Sequence, residues 1–446
     1  MLLIAMLPQM IIGIPDTLPV LYHALIGESL QDGKTLYAEV YDNTPPLAAG
    51  VYWIFHSIFD RFSIALTIFS ILLIVFQAFI FGLAINSKEV YSEKNYLPSL
   101  FYGIFMLISF DFATLPPALM AQTFLLLMLR NLLKMNEDSS EQDVFMTAAY
   151  LGIASLFYIP CVAFLLVTLI GSVLFSSFTP RHLLLILYGF ILVLASALTY
   201  FFYFGSVESI FEQFFVINVP TRNYARWEEV LWLMLIPSFL IVASFFKIFQ
   251  DGRFIVYQTN TQLLMGIWLF VAVLTLIFSN EFATYQLILF VPPLSFFTTH
   301  FILLTKRLFL TEIYGWTILL TVLLVNYNSL YGWIPSLQKV DYQKMYIKEM
   351  PDFEIQGKKI LVLGDDISYY KNNQPTCPYL NWKLSRKDFD YLDQYEAIVR
   401  IAKQLENNYP DVVVDPQNLM NKLLIRIPAM KEMYEKKENG VYVKVR

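Results

Sequence analysis

Acidic side chains crowd one stretch near the start of this 446-residue chain. GIPDTLPVLYHALIGESLQDGKTLYAEVYDNTPPL carries Asp16, Glu28, Asp32, Glu39 and Asp42 against a single Lys34. A carboxylate placed where an apolar segment meets water is partly desolvated yet still reachable. Desolvation raises its pKa and makes it a better proton acceptor. Asp16 stands at such a boundary, although the local sequence equally allows it to cap the TLPVLYHALIG helix. Asp42 also has two readings. It can start an Asx-turn ahead of Pro45 and Pro46, or those prolines can hold it over a reaction site or a metal ion. The prolines themselves mark a helix start, because a proline in the first turn gives up no hydrogen bond.

Two further turns carry similar groups. SFDFATLPP presents Asp111, and NEFATYQLILFVPPLSFF presents Glu281 and Tyr285. Ionisable residues at the mouths of membrane spans mark a pathway or a site. Arg222 and Arg226 lie four apart and share a face if their segment is helical. Guanidinium forks suit phosphate oxygens, so these arginines are candidate ligands for a lipid-linked phosphate. Pairing with Glu208, Glu212, Glu228 or lipid headgroups is the alternative. Cys161 and Cys377 suggest neither a disulfide framework nor a CxxC site. His23, His56, His182 and His300 are scattered without ligand spacing, and no metal site is assigned.

The elements that must position these residues are apolar. The chain is 57% hydrophobic and only 15% charged, against about a quarter charged in soluble proteins. Its apolar runs are continuous rather than alternating, which gives a polytopic α-helical membrane protein and excludes a barrel. After a first span in MLLIAMLPQMIIGIP, which lacks a signal peptide's basic region, spans are expected at 63–85, 97–109, 117–134, 146–158, 160–177, 183–205, 229–248, 261–279, 285–305 and 308–327. That is about eleven, with Pro160 separating two of them. Residues 45–59 are too short to cross and are expected to dip into the outer leaflet or lie along it. Lys and Arg in the short loops place one side in the cytoplasm and the acidic turns on the other. A net charge of −5 argues against a nucleic-acid partner.

Beyond a membrane domain at 1–334, residues 335–446 read as a small α/β domain on the non-cytoplasmic side. KKILVLGDD, PDVVVDP and GVYVKV read as strands. DFDYLDQYEAIVRIAKQLENN reads as an amphipathic helix with Tyr395, Ile398, Val399, Ala402 and Leu405 on its apolar face, and a further helix is expected at 416–436. No G-x-G-x-x-G or G-K-S/T phosphate loop is present.

Three stretches resemble the GT-C glycosyltransferases, polytopic enzymes that use polyprenyl-phosphate sugars and include protein mannosyltransferase-like and aminoarabinose transferases. GESLQDGKTLYAEVYDNTPPLAAGVYWIFHSIFDRF is similar to that family's first outer loop. NEFATYQLILFVPPLSFF is similar to a late span, and YPDVVVDPQNL through MYEKKENGVYVKV to an outer domain. The resemblance implies transfer of a sugar from a polyprenyl-phosphate donor to an acceptor, a protein or a glycan, on the extracytoplasmic side of a bacterial inner membrane. It makes Asp16 the residue that acts as general base or orients the acceptor, with Asp42 beside it, and puts the donor phosphate near Arg222 or Arg226. A divalent cation stays open as a cofactor. The family's Asp-Glu pair is Asp16-Thr17 here, and Thr44 stands where a Lys often precedes the double proline. These departures define the alternative: a GT-C-like scaffold that binds a protein partner or lipid-linked glycan without transfer. A transporter is disfavoured, because the charges lie at span ends rather than within spans.

Overall fold

The computed structural model describes residues 6, 15–61, 63–86, 90–91, 93–135, 140–176, 179–204, 207–214, 222–251, 253–279, 281–348, 355–376, 378–406, 408–437 and 440–445. The expected first span, MLLIAMLPQMIIGIP, therefore lies outside the described residues, apart from Met6 and Pro15. The chain divides into two compact units. A helical unit comprises Met1–Ile14, Ser63–Ala197 and Arg222–Lys344, and a sheet unit comprises Pro15–Phe62, Leu198–Thr221 and Met345–Arg446.

Six helices among the described residues are long and apolar enough to cross a membrane: Ser63–Asn86, Pro180–Tyr203, Trp227–Gln250, Val256–Ile277, Thr284–Leu303 and Leu308–Tyr331. The protein is accordingly an integral membrane protein, and among the described residues six of the eleven expected spans are full-length helices. The reason is local. Helices Leu97–Phe105 and Leu165–Phe175 have 9 and 11 residues. At about 1.5 Å of rise per residue they cover roughly half of a ~30 Å hydrocarbon core. Pro160 sits in a 3-10 turn, Ile159–Phe164, that separates Glu141–Phe157 from Leu165–Phe175.

Within the helical unit the Thr284–Leu303 segment is the most enclosed of the six. Its helical part, Val291–Leu303, packs against Trp227–Asp251 and Leu97–Phe105. Pro292 and Pro293 fall in its first turn, where they cost no backbone bond. Two buried polar side chains of this unit illustrate how such groups find partners away from water. The Trp268 indole donates to the Leu289 carbonyl at 2.8 Å, and Gln77 bridges the Leu119 carbonyl and the Thr123 hydroxyl at 2.7 and 2.9 Å. Outside the spans, two short strands join distant loops. β1 (Arg222–Asn223) runs parallel to β2 (Glu281–Phe282), with Arg222 opposite Glu281.

In the sheet unit, helices Leu18–Gln31 and Pro46–Phe59 pack closely. A Cβ on Gly27 would sit 2.5 Å from the Tyr52 carbonyl oxygen, so only glycine permits this approach. Pro46–Phe59 has 14 residues and buries Ala48, Ala49 and Tyr52. Leu47, Trp53, Ile54, Ile58 and Phe59 remain exposed. Residues 15–61 are bound to the later chain. The Leu18 amide donates to the Met345 carbonyl at 2.6 Å, and that of Ile347 to the Asp16 carbonyl at 3.2 Å. Arg61 donates to Glu28 and to the carbonyls of Tyr370, Lys371 and Asn373.

The sheet has five strands in the order β4-β3-β5-β7-β6. β3 (Lys359–Val362), β4 (Gln374–Pro375) and β5 (Val412–Val414) are parallel, whereas β6 (Tyr434–Lys436) and β7 (Val441–Lys444) are antiparallel additions. Leu361, Val413, Ile401, Leu405, Met420 and Tyr442 share its core. Two helix expectations are corrected. The expected amphipathic helix breaks into Trp382–Asp390 and Tyr395–Glu406. The second buries Ala397, Ile401 and Leu405, spaced i, i+4, i+8, while Tyr395 and Val399 are exposed. The expected 416–436 helix ends at Arg426, and Pro428 starts a short new turn before β6.

Candidate functional site

A cleft of about 600 Å³ opens in the helical unit where Trp227–Asp251 begins and Val256–Ile277 ends. Arg226, Lys344, Ser279, Trp227 and Glu228 line it. The backbone of Arg226 is fixed. Its amide donates to Glu229 Oε2 at 2.8 Å and the Glu229 amide returns a bond to the Arg226 carbonyl at 3.1 Å, a reciprocal cap. The exposed Arg226 guanidinium makes no ion pair among the described residues. Lys344 lies 3.8 Å from Asp341. A helix N-terminus flanked by two cations is suited to an anion.

A polar network leads inward from this cleft. Gln286 Nε2 donates to Ser279 Oγ at 2.5 Å, to the Tyr158 hydroxyl at 3.0 Å and to the Glu281 carbonyl. Tyr285 donates to Glu281 Oε2 at 2.6 Å. Next to it, Thr284 donates to Asp111 Oδ2 at 2.6 Å. The other carboxylate oxygen of Asp111 is buried without a hydrogen-bond partner among the described residues. Burial pushes this carboxyl up to about 6, while the hydroxyls of Ser109 and Thr284 and the Tyr285 amide pull the other way. Leu115, four residues on, is buried at φ +55°, a left-handed conformation that is strained for leucine.

Asp16 and Asp42 belong to the sheet unit. Asp16 does not cap the following helix, which starts at Leu18 with Thr17 at the N-cap. Its carboxylate is half exposed, at 49%, and lies 3.3 Å from Lys371. Asp42, expected over a reaction site, is fully buried. It accepts from the Tyr22 hydroxyl, the Thr44 amide at 2.9 Å and Asn381 Nδ2 at 3.5 Å. The Thr44 contact is the Asx-turn, and the Asp42 amide donates to Gln213 Oε1 at 2.9 Å. A carboxylate this enclosed organises its loop rather than meeting a substrate.

Arg226, Glu281, Tyr285 and Asp111 thus fall in one unit, linked through β1, β2 and the Gln286 network. Arg222 and Arg226 do not share a helical face. Arg222 is in β1 and Arg226 precedes the helix, because the segment is extended up to Trp227. Sequence reasoning missed Lys344, Ser279, Tyr158, Thr284 and Gln286. Gln286 alone carried a signal, an amide side chain inside an apolar run. Among the described residues no three His, Cys, Asp or Glu side chains cluster in a way that could hold a metal ion.

Residues 46–332 match DUF6427, a family of unknown function. The chain belongs to the DUF6427 family. Curated proteins give no match to this DUF6427 chain. Among solved structures it is similar to ArnT from Cupriavidus metallidurans bound to undecaprenyl phosphate, with a TM-score of 0.51 and 12% identity, over 95% of this chain and 92% of that one. At this identity the likeness is one of fold. The DUF6427 chain has an ArnT-like fold.

Proposed function

We propose that this protein is a membrane glycosyltransferase that takes a sugar from a polyprenyl-phosphate donor and works on the extracytoplasmic side of a bacterial inner membrane. The observation that carries the proposal is the cleft at the end of two spans, where Arg226 and Lys344 stand at a helix N-terminus. The ArnT structure of similar fold holds undecaprenyl phosphate. The two cations would neutralise the phosphate as it leaves, the point where negative charge develops. The bond from the acceptor oxygen to the anomeric carbon forms as the bond to the phosphate oxygen breaks. The polyprenyl phosphate leaves with the electron pair, and the configuration inverts. Asp16 is the proposed general base that takes the acceptor proton, and Asp42 is a positioning residue. Arg222, Glu281, Tyr285 and Asp111 complete the proposed donor-binding set, the last three by holding the loop that carries Ser279.

The test is mass spectrometry of lipid co-purified in mild detergent from wild type and from Arg226→Ala/Lys344→Ala. Polyprenyl phosphate or its sugar conjugate enriched in wild type and depleted at least tenfold in the variant is expected. Bulk phospholipid alone in both would refute it. The scaffold reading has one observation in its favour, the Lys371 ion pair that engages the Asp16 carboxylate. Protein that retains donor lipid but never transfers sugar to any acceptor would decide for it.

A further inference from the structure

The sheet unit holds a second cavity, of about 370 Å³, lined by Tyr41, Glu212, Gln213, Lys387, Asp388 and Arg400. That size lies at the small end of ligand sites, roughly 300–1,000 Å³. The lining is polar, and its formal charges cancel, two carboxylates against two cations. One wall is rigid. Gln213 is held at both ends, accepting from the Asp42 amide at 2.9 Å and donating to the Tyr37 carbonyl at 2.6 Å. The Tyr41 amide donates to the Pro378 carbonyl at 2.8 Å, and its hydroxyl accepts from Gln404 Nε2 at 2.7 Å. Its ring stands edge-on to Tyr379 at 5.7 Å.

Asp388 distinguishes this cavity from a solvated groove. The residue is only 6% exposed. Its Oδ1 lies 3.3 Å from Arg400 Nη1, and its Oδ2 is buried with no hydrogen-bond partner among the described residues. A buried acceptor left unpaired is destabilising, and a donor brought by a ligand relieves it.

We propose that this cavity binds a neutral sugar residue. Carboxylate and guanidinium groups are planar forks that can each span adjacent hydroxyls. Sugar hydroxyls donate and accept at once, which a lining of mixed carboxylate, amide, phenol and guanidinium groups requires. Balanced charge selects against anionic and cationic ligands, since either leaves one pair of like charges opposed. The electron-rich face of Tyr41 suits the C–H face of a pyranose. The proposal stands apart from the donor cleft and does not depend on transfer.

The experiment is a glycan array carrying neutral, acidic and amino-sugar glycans, probed with the full-length protein in lipid nanodiscs so that no glycoside detergent competes. Asp388→Ala, Arg400→Ala and the control Lys403→Ala, on the Arg400 helix but outside the cavity, run beside wild type. Binding to neutral glycans is expected, at least tenfold weaker in the first two variants and unchanged in the third. Co-purified lipid should be the same in all, which separates failure here from failure of the donor reading. If Asp388→Ala does not fold, Arg400→Ala carries the test, since its side chain is about half exposed. No glycan binding, binding confined to charged glycans, or binding undiminished by Arg400→Ala would overturn the proposal.

Discussion

Asp42 and Asp111 each precede a double proline that opens a helix, in DNTPP and DFATLPP. Both are all but inaccessible to solvent, and each has a buried residue with positive φ within five positions, Tyr37 and Leu115. Their surroundings differ. Asp42 accepts from three side-chain or backbone donors, whereas Asp111 accepts a short bond from Thr284 and keeps one oxygen without a hydrogen-bond partner among the described residues. The same turn grammar therefore yields one carboxylate that is consumed by structure and one that is held ready for a further partner. Which of the two results is decided by donors far away in the chain, Tyr22 and Asn381 in one case and Thr284 in the other.

The largest effect expected is that of Asp42→Ala. It strands the Tyr22 hydroxyl and the Thr44 amide in the interior, at about 1–3 kcal/mol each, for a loss of about 4 kcal/mol. Thermal unfolding in nanodiscs measures it. A loss no larger than that of Asp111→Ala would break the contrast between the two turns.

Next comes pH. The Asp111 carboxyl lies at about 6 in the fold, against 3.8 when unshifted, because burial disfavours its charge. The folded state thus holds the proton more tightly than the unfolded chain. Its contribution is complete below pH 3.8 and is lost as pH rises through about 6, at most about 3 kcal/mol. Asp111→Asn should remove that dependence, so the stability difference between wild type and variant should change sharply between pH 4 and 6 and be flat above 7. A parallel pair of curves across that range would mean that Asp111 does not titrate there. Tyr285→Phe should act more weakly. It removes one hydrogen bond to the half-buried Glu281, about 1–1.5 kcal/mol, and should lower donor-lipid retention by loosening the loop that carries Ser279. Unchanged retention would separate Glu281 from the cleft.

The contrast also explains what could be read in advance. Long apolar runs such as Ser63–Asn86 and Leu308–Tyr331 announce themselves by composition, and β3, β5 and β7 fall in the apolar stretches KKILVLGDD, PDVVVDP and GVYVKV. β4 and β6 consist of Gln374–Pro375 and Tyr434–Lys436, residues with no strand pattern, and they pair only because a neighbour offers an edge. Leu97–Phe105 is as apolar as a span and stops early, followed by bent and 3-10 backbone. Charged site residues were visible as charges at span ends. Their grouping was not, because it depends on β1 meeting β2 across 58 intervening residues' worth of chain between Arg222 and Glu281. Lys344 joins the cleft by the same kind of long-range closure.

The smallest structural effect belongs to the Lys371–Asp16 pair, and for that reason it sharpens the functional question most. Both side chains are 49% exposed at 3.3 Å separation. Such pairs contribute about 0–1 kcal/mol, so Lys371→Met should leave the unfolding temperature nearly unchanged. Its partner Asp16 can be tested apart from stability. If Asp16 removes the acceptor proton, Asp16→Asn should abolish transfer while donor lipid is still retained. If Asp16→Asn transfers normally, Asp16 is a surface anchor for Lys371. The base must then be sought among the carboxylates of the helical unit, where burial brings the Asp111 carboxyl up to about 6, close to the range a general base needs.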